Sequence, residues 1–207
     1  MQISHLLLIG NGEEVSPRLL KTLAKEADYI LAADAGADKA LRAAVVPQGV
    51  IGDLDSISAR SKKILAGHVI HVSSQDNTDL EKALIWAVQQ HITQVTLVGF
   101  VGDRWDFSIG NLLALAKWAR QLNITVAGNN WRIFPLLKSA KFTGKPGKRV
   151  SIIPLTTCTG VTLSGLVYPL KKARLTPGTT RTLSNKTKGT QFAVSFSRGS
   201  MLVYQEI

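Results

Sequence analysis

The chain has 207 residues, 45% of them hydrophobic, and a net charge of +11, enough to bury a core as one large domain or two small ones. No apolar run approaches the roughly 20 residues needed to span a bilayer, and the run at 6–9, behind a start without basic residues, is too short for a secretory signal. Cys158 is the only thiol, which excludes an intrachain disulfide and a cysteine-based zinc site and leads us to expect a reducing, cytoplasmic setting.

Through residue 128 the chain alternates strand and helix signals. Short, mainly apolar runs without polar alternation at 6–9, 30–33, 50–51, 69–72, 95–98 and 124–127 predict strands of a parallel sheet covered on both faces. Between them, Ser16-Pro17 supplies an N-cap and a first-turn proline for a helix to about Glu26. Thr78-Asp79-Leu80-Glu81 is a capping box that opens a second helix, and a third is predicted over 106–121. This alternation predicts a doubly wound, mostly parallel α/β domain.

The pattern then changes. Thr143-Gly144-Lys145-Pro146-Gly147-Lys148 has linker composition, and short strand-like runs follow at 150–155, 161–163, 166–168, 192–196 and 201–204. Gly, Pro, Ser and Thr separate them without helical periodicity, which predicts a small antiparallel β-sandwich. We therefore expect an α/β domain over 1–138 and a β domain over 139–207. Charge divides similarly: residues 1–110 hold 10 Lys/Arg against 13 Asp/Glu, a net −3, whereas residues 111–207 hold 15 Lys/Arg and the single acid Glu206, a net +14. The basic half has no run of five like charges and no nucleic-acid module motif, so nucleic-acid binding is not expected. A solvated basic face, or attraction of an anionic nucleotide by the whole field, fits better.

Three polar clusters follow predicted strand ends within 54 residues and together carry seven carboxylates and one arginine. They are Gly52-Asp53-Leu54-Asp55-Ser56, Gln75-Asp76-Asn77-Thr78-Asp79-Leu80-Glu81-Lys82, and Gly102-Asp103-Arg104-Trp105-Asp106. Asp53 and Asp55, two apart, can reach one ion from a tight turn, or the turn can simply cap the next helix. Asp76 and Asp79 flank Thr78 at a helix N-terminus, whose free N–H groups suit phosphate oxygens; alternatively Asp79 only answers the helix dipole. Lys82 lies one turn in. Arg104 offers a planar fork for phosphate, with Asp106 to hold it, or the two form a surface ion pair. One magnesium–polyphosphate site accounts for all three clusters, and in open α/β sheets ligands bind beyond the carboxyl ends of the strands. Asp34, which ends the second strand, faces the same cleft by position.

Other routes to nucleotide chemistry fail. There is no P-loop, and Gly10-Asn11-Gly12 lacks the third glycine of a dinucleotide fingerprint, although it can still let a nucleotide approach the backbone. No nucleophile elbow exists, and His5, His68, His71 and His91 show no ligand spacing.

In order along nearly the whole chain, these segments resemble the thiamine pyrophosphokinase family. Asp34-Ala35-Gly36-Ala37 looks like its Asp-Gly-Gly-Ala stretch, and Gly52-Asp53-Leu54-Asp55-Ser56 is close to its Gly-Asp-Phe-Asp-Ser signature. Asp76-Asn77-Thr78-Asp79 through Lys82-Ala83-Leu84 is similar to its Asp-x-Thr-Asp-x-x-Lys-Ala-Leu segment. Gly102 to Asp106, followed by Asn111, tracks its Gly-Gly-Arg-x-Asp-His run. Gly165-Leu166-Val167-Tyr168-Pro169-Leu170 and Ser184-Asn185 resemble landmarks of its β domain. Two positions depart: Asp103 stands for the second glycine and Phe107 for the histidine.

The resemblance implies transfer of pyrophosphate from ATP to the thiamine hydroxyl, giving thiamine diphosphate and AMP. It implies that Asp53, Asp55 and Asp79 hold Mg²⁺, and that Gln75, Thr78, Lys82 and Arg104 bind phosphates, with Asp106 fixing Arg104. Asp34 and Asn111 join the nucleotide site, and Ser184 and Asn185 contact thiamine in a homodimer whose sites lie between subunits. The alternatives are a pyrophosphokinase for another hydroxyalkyl heterocycle and a non-catalytic nucleotide- or thiamine-sensing module.

Overall fold

The computed structural model describes residues 3–52, 55–70 and 76–207. By its internal contacts the chain forms two compact units, one made of residues 1–114 and 121–129, the other of 115–120 and 130–207.

In the first unit, β1 (His5–Ile9), β2 (Tyr29–Ala33), β3 (Gly49–Ile51), β4 (Val69–Ile70), β5 (Gln94–Val98) and β6 (Asn123–Ala127) form a sheet in the order β6-β5-β1-β2-β3-β4. Every pairing among these strands is parallel. The mainly apolar runs are explained by what covers them. Leu7, Ile9, Ile30 and Val98 pack with Leu20 and Leu23 of α1 (Pro17–Glu26) in one core. Ala32 and Val50 pack with Ala37 and Leu65 in another. The Ser16 Oγ caps α1 by accepting from the Leu19 N–H at 3.2 Å, as the Ser-Pro pair predicts.

Two short helices, α2 (Gly36–Arg42) and α3 (Ala59–Ile64), had no counterpart in the sequence reading. At seven and six residues they carry too few turns to show a 3.6-residue period. Then come α4 (Asp79–Gln89) and α5 (Trp105–Trp118). α5 stops short of the predicted residue 121, because a turn at 119–121 leads into buried Leu122 and β6.

The second unit is a sandwich of two antiparallel sheets. One holds β7 (Trp131–Leu136), β9 (Arg149–Pro154), β12 (Asn185–Lys186) and β14 (Met201–Glu206) in the order β12-β9-β14-β7. The other holds β8 (Ala140–Thr143), β10 (Cys158–Ser164), β11 (Leu170–Leu175) and β13 (Gln191–Ser195) in the order β11-β10-β13-β8. Val150, Ile152 and Val203 from one sheet share a core with Val161, Leu163 and Phe192 from the other, the packing that sheet-on-sheet architecture requires.

Four details differ from the sequence reading, the first being β12, a two-residue strand that no apolar run announces. β7 and β8 precede the first strand predicted for this region. β11 was hidden because Lys171, Lys172 and Arg174 mask its apolar positions. The run at 166–168 is not a strand, and Leu166 makes only an isolated bridge to Thr187.

Candidate active site

The strand order dictates where a ligand can enter the first unit. From β1 the chain runs outward through β2, β3 and β4, then crosses to the other side of β1 to form β5 and β6. Strand order therefore reverses between β1 and β5, and the loops leaving their carboxyl ends diverge over a crevice. A cleft of about 540 Å³ opens there, walled by Gly10 to Gly12, Asp34, Ser56, Thr78, Asp79 and the 99–104 loop.

The glycine wall is held by backbone bonds. The Gly10 N–H donates to the Val98 carbonyl at 2.8 Å, Gly12 N–H to Gly99 at 2.6 Å, and Glu13 N–H to Val101 at 2.6 Å. Asn111 Nδ2 donates to the Phe100 carbonyl at 2.7 Å. Ser108 Oγ accepts from the Gly102 N–H at 2.9 Å, with the Gly102 and Arg104 carbonyls in reach of its own proton at 2.9 and 2.8 Å. Both side chains pin the loop that carries Arg104.

The carboxylates arrive from separate strand ends. Asp34 follows β2 with φ of 45°, and its carboxylate occupies the space where a Cβ on Gly52 would stand. Gly52, at φ of 140°, thus admits both the Asp34 side chain and a backbone shape that side-chain-bearing residues rarely take. Asp79 is the first residue of α4, behind its N-cap Thr78, whose Oγ accepts from the Glu81 N–H at 3.3 Å. That hydroxyl keeps its own proton to donate. Lys82 Nζ turns back along the helix to Asp79 Oδ1 at 3.1 Å, which sets an ammonium beside the helix N-terminus.

Arg104 is gripped twice. Its Nε and Nη2 donate to the two carboxylate oxygens of Asp106 at 3.2 and 2.5 Å, and its guanidinium carbon lies 4.3 Å from the centre of the Phe107 ring. The hydrogen bond from Arg104 holds the Asp106 carboxyl below the usual range, and Asp106 raises Arg104 in turn. Both residues are exposed, so the pair preorganises the fork more than it stabilises the fold.

The structure thus brings Asp34, Thr78, Asp79, Arg104 and Asn111 to one cleft, with Lys82 and Asp106 tied to its lining. Asp55, exposed in the turn after β3, directly precedes the lining residue Ser56. Asp53 and Gln75, expected as a metal ligand and a phosphate ligand, lie outside the described residues. Among the described residues no three Asp, Glu, His or Cys groups converge on one point. The available donors are hard carboxylate and hydroxyl oxygens. That set fits Mg²⁺, which is held by one or two carboxylates while keeping water and substrate phosphates, and it suits no thiolate-seeking metal.

Ser184 and Asn185 belong to the second unit. Ser184 is exposed at φ of 54°, its N–H donating to Ser151 Oγ at 2.9 Å. Asn185 is only 3% exposed. Its Oδ1 accepts from the Tyr168 N–H at 3.0 Å, and its Nδ2 donates to the Tyr168 carbonyl at 2.7 Å. The amide so fixes the backbone of an exposed tyrosine beside Ser184.

A model of the thiamin pyrophosphokinase catalytic domain matches residues 20–127, more than half of the chain, and a model of that family's vitamin B1 binding domain matches residues 139–201. The chain belongs to the thiamin pyrophosphokinase family. The thiamine pyrophosphokinase of Bacillus subtilis strain 168 is 28% identical over 178 residues, covering 82% of this chain and 83% of that protein. The crystal structure of the thiamin pyrophosphokinase from Geobacillus thermodenitrificans aligns with a TM-score of 0.84 at 26% identity, over 98% of this chain and 97% of that one. The fold is also that of the Candida albicans thiamin pyrophosphokinase, with a TM-score of 0.86 at 19% identity over 99% and 89% of the two chains.

Within the family pattern, the departure at residue 107 acquires a physical role here, since the Phe107 ring supports the Arg104 guanidinium. Sequence reasoning missed Ser108 and Lys39. Neither lies in a recognisable motif. Ser108 sits in the first turn of α5, and Lys39 is a lysine in an unpredicted helix, a residue type that defaults to solvent.

Proposed function

We propose that this chain transfers a pyrophosphoryl group from ATP to the hydroxyethyl group of thiamine. The observation that carries this reading is the cleft at the β1/β5 switch point. There the glycine wall meets a helix N-terminus, three carboxylates and a braced arginine, all but the wall drawn from the part of the chain that matches the family's catalytic domain. Residues 1–138 carry the catalytic function, although their last strand, β7, packs within the second unit, and residues 139–207 serve thiamine binding and dimerisation. The reaction is ATP-dependent, and the setting is cytoplasmic, in keeping with a lone buried thiol.

In the reaction the thiamine alcohol oxygen attacks the β-phosphorus of ATP in line. The new O–P bond forms as the bond from the β-phosphorus to the bridging oxygen of AMP breaks, and the hydroxyl proton passes to a nearby carboxylate. Most of the acceleration comes from positioning and charge neutralisation. Asp53, Asp55 and Asp79 would hold Mg²⁺, directly or through water, and the bound cation would offset phosphate charge. Gln75, Thr78 and the N–H groups that open α4 receive phosphate oxygens. Lys82 adds a point charge, and Arg104 adds a planar fork kept in place by Asp106 and Phe107. Ser184 contacts the thiamine heterocycle, and Asn185 shapes the same edge through Tyr168. In the homodimer, the β domain of one subunit serves the catalytic domain of the other; the −3 and +14 halves of the chain favour that pairing.

Incubation with ATP, Mg²⁺ and thiamine tests the reading. AMP and thiamine diphosphate should form in equal amounts. ATP binding without AMP release would mark a sensor, and AMP release only with pterin or pyrimidine alcohols would mark a different acceptor.

A further inference from the structure

Lys39, on α2, takes no part in the mechanism above, yet it is only 3% exposed. A lysine leaves water only where its ammonium is well received. Here Nζ donates to the Gly12 carbonyl at 2.6 Å and to the Glu13 carbonyl at 2.9 Å, with Glu14 Oε1 at 4.0 Å. Burial pushes the ammonium below its ordinary range, while Glu14 and Asp103 pull it back up.

The segment that Lys39 grips is the glycine wall of the cleft. From the other side its amides are drawn to the loop after β5 by the Gly12-to-Gly99 and Glu13-to-Val101 bonds. Beyond it, Asn129 Oδ1 accepts from the Ser16 N–H at 2.7 Å and Asn129 Nδ2 donates to the Glu14 carbonyl at 3.2 Å. Carbonyls held by an ammonium on one side and amides held by carbonyls on the other leave that wall one shape. A buried methionine would fill the same volume but hold neither carbonyl. The charge also matters. Asp34, Asp79 and Asp103 line the same cleft, and a fixed cation behind the wall offsets their repulsion of a polyphosphate.

We infer that Lys39 is a positioning residue for the nucleoside triphosphate, holding the Gly10-Asn11-Gly12 wall in its binding shape and offsetting the acidic lining without touching the substrate. The inference rests on the reading of the cleft as the ATP site.

The test is K39M in the full chain, with ATP affinity measured by calorimetry in Mg²⁺ and steady-state constants for both substrates. K39M should fold, weaken ATP binding about tenfold or more, and leave the thiamine KM within about twofold and kcat within about threefold. K39R, which keeps the cation and its donors, should recover most of the ATP affinity. ATP binding within about twofold of wild type in folded K39M, or an equal rise in both KM values, overturns the inference. If K39M does not fold, K39Q is judged by the same criteria, and failure of both to fold marks Lys39 as structural and likewise overturns it. Wild-type protein that binds no ATP in the same titration refutes the parent reading instead.

Discussion

A single methyl group at Gly12 should damage the nucleotide site without unfolding the protein. A Cβ built there stands 2.6 Å from the Val101 carbonyl oxygen and 2.9 Å from that of Gly99. Both oxygens already accept hydrogen bonds from this loop, from the Glu13 and Gly12 N–H groups respectively. Neither is the end of a flexible side chain, so relief must come from backbone movement. Reaching ordinary contact of about 3.4 Å means opening the two loops by about 0.8 Å. Overpacking of this kind costs about 1–3 kcal/mol, and losing two neutral hydrogen bonds at about 1 kcal/mol each gives the same range. A domain stable by about 5–15 kcal/mol survives that loss, with Tm lowered by about 2–10 °C. Activity is hurt more, because a displacement near 1 Å at a positioned substrate costs about 100-fold. We therefore expect Gly12→Ala to lower kcat/KM for ATP by about 10- to 100-fold, measured as AMP release alongside a thermal melt. Gly67→Ala is the control, since a Cβ there meets no atom within 4 Å; it should be neutral or stabilise by up to about 1 kcal/mol. Gly12→Ala with wild-type ATP KM and Tm would refute the reasoning.

Asp79→Ala should reduce kcat by about two orders of magnitude or more with little change in Tm, and a near-normal AMP release rate would remove Asp79 from the metal set. Asn185→Ala should cost about 1–3 kcal/mol in urea unfolding, because it strips both backbone polar groups of Tyr168 of their partner. It should also raise the thiamine KM, and a loss confined to stability would leave Asn185 a purely structural residue. Asp28 supplies a pH test. Hydrogen bonds from the Ser4 hydroxyl and then from the His5 and Ser4 N–H groups lower its carboxyl to about 2. A depressed carboxyl contributes stability above its unfolded value of about 3.9 and loses it as pH falls through the folded value. The Tm gap between wild type and Asp28→Asn should therefore be full at pH 7, shrink below about pH 4 and close near pH 2. A gap that stays constant from pH 7 to pH 2 would refute the assignment.

The first unit was legible in the sequence because parallel strands buried on both faces carry mainly apolar runs without polar alternation, as those from Leu6 to Ala127 do despite Thr96 and Thr125. The helices with strong caps, at Ser16 and Thr78, were equally readable, since capping is chemistry between near neighbours. α2 and α3 were not, being too short for periodicity to emerge. In the sandwich, β11 escaped because its exposed face carries Lys171, Lys172 and Arg174, and strand identity there depends on pairing with β10.

The candidate site divides along the same line. Asp34, Thr78, Asp79 and Arg104 were named from residue types at strand ends and a helix cap, and the order of these segments pointed to the thiamin pyrophosphokinase family, whose resemblance added Asn111. Asp53 and Gln75, named in the same way, lie outside the described residues. By itself the sequence determined the fold class and the chemistry available, because local propensity, burial pattern and donor type are written residue by residue. Only the tertiary structure decided that the crossover from β4 to β5 opens the crevice beside Gly10 and Gly12. It alone placed Phe107 against Arg104 and buried Lys39 behind the glycine wall. Those outcomes depend on contacts between residues far apart in the chain, whose energies no local pattern records.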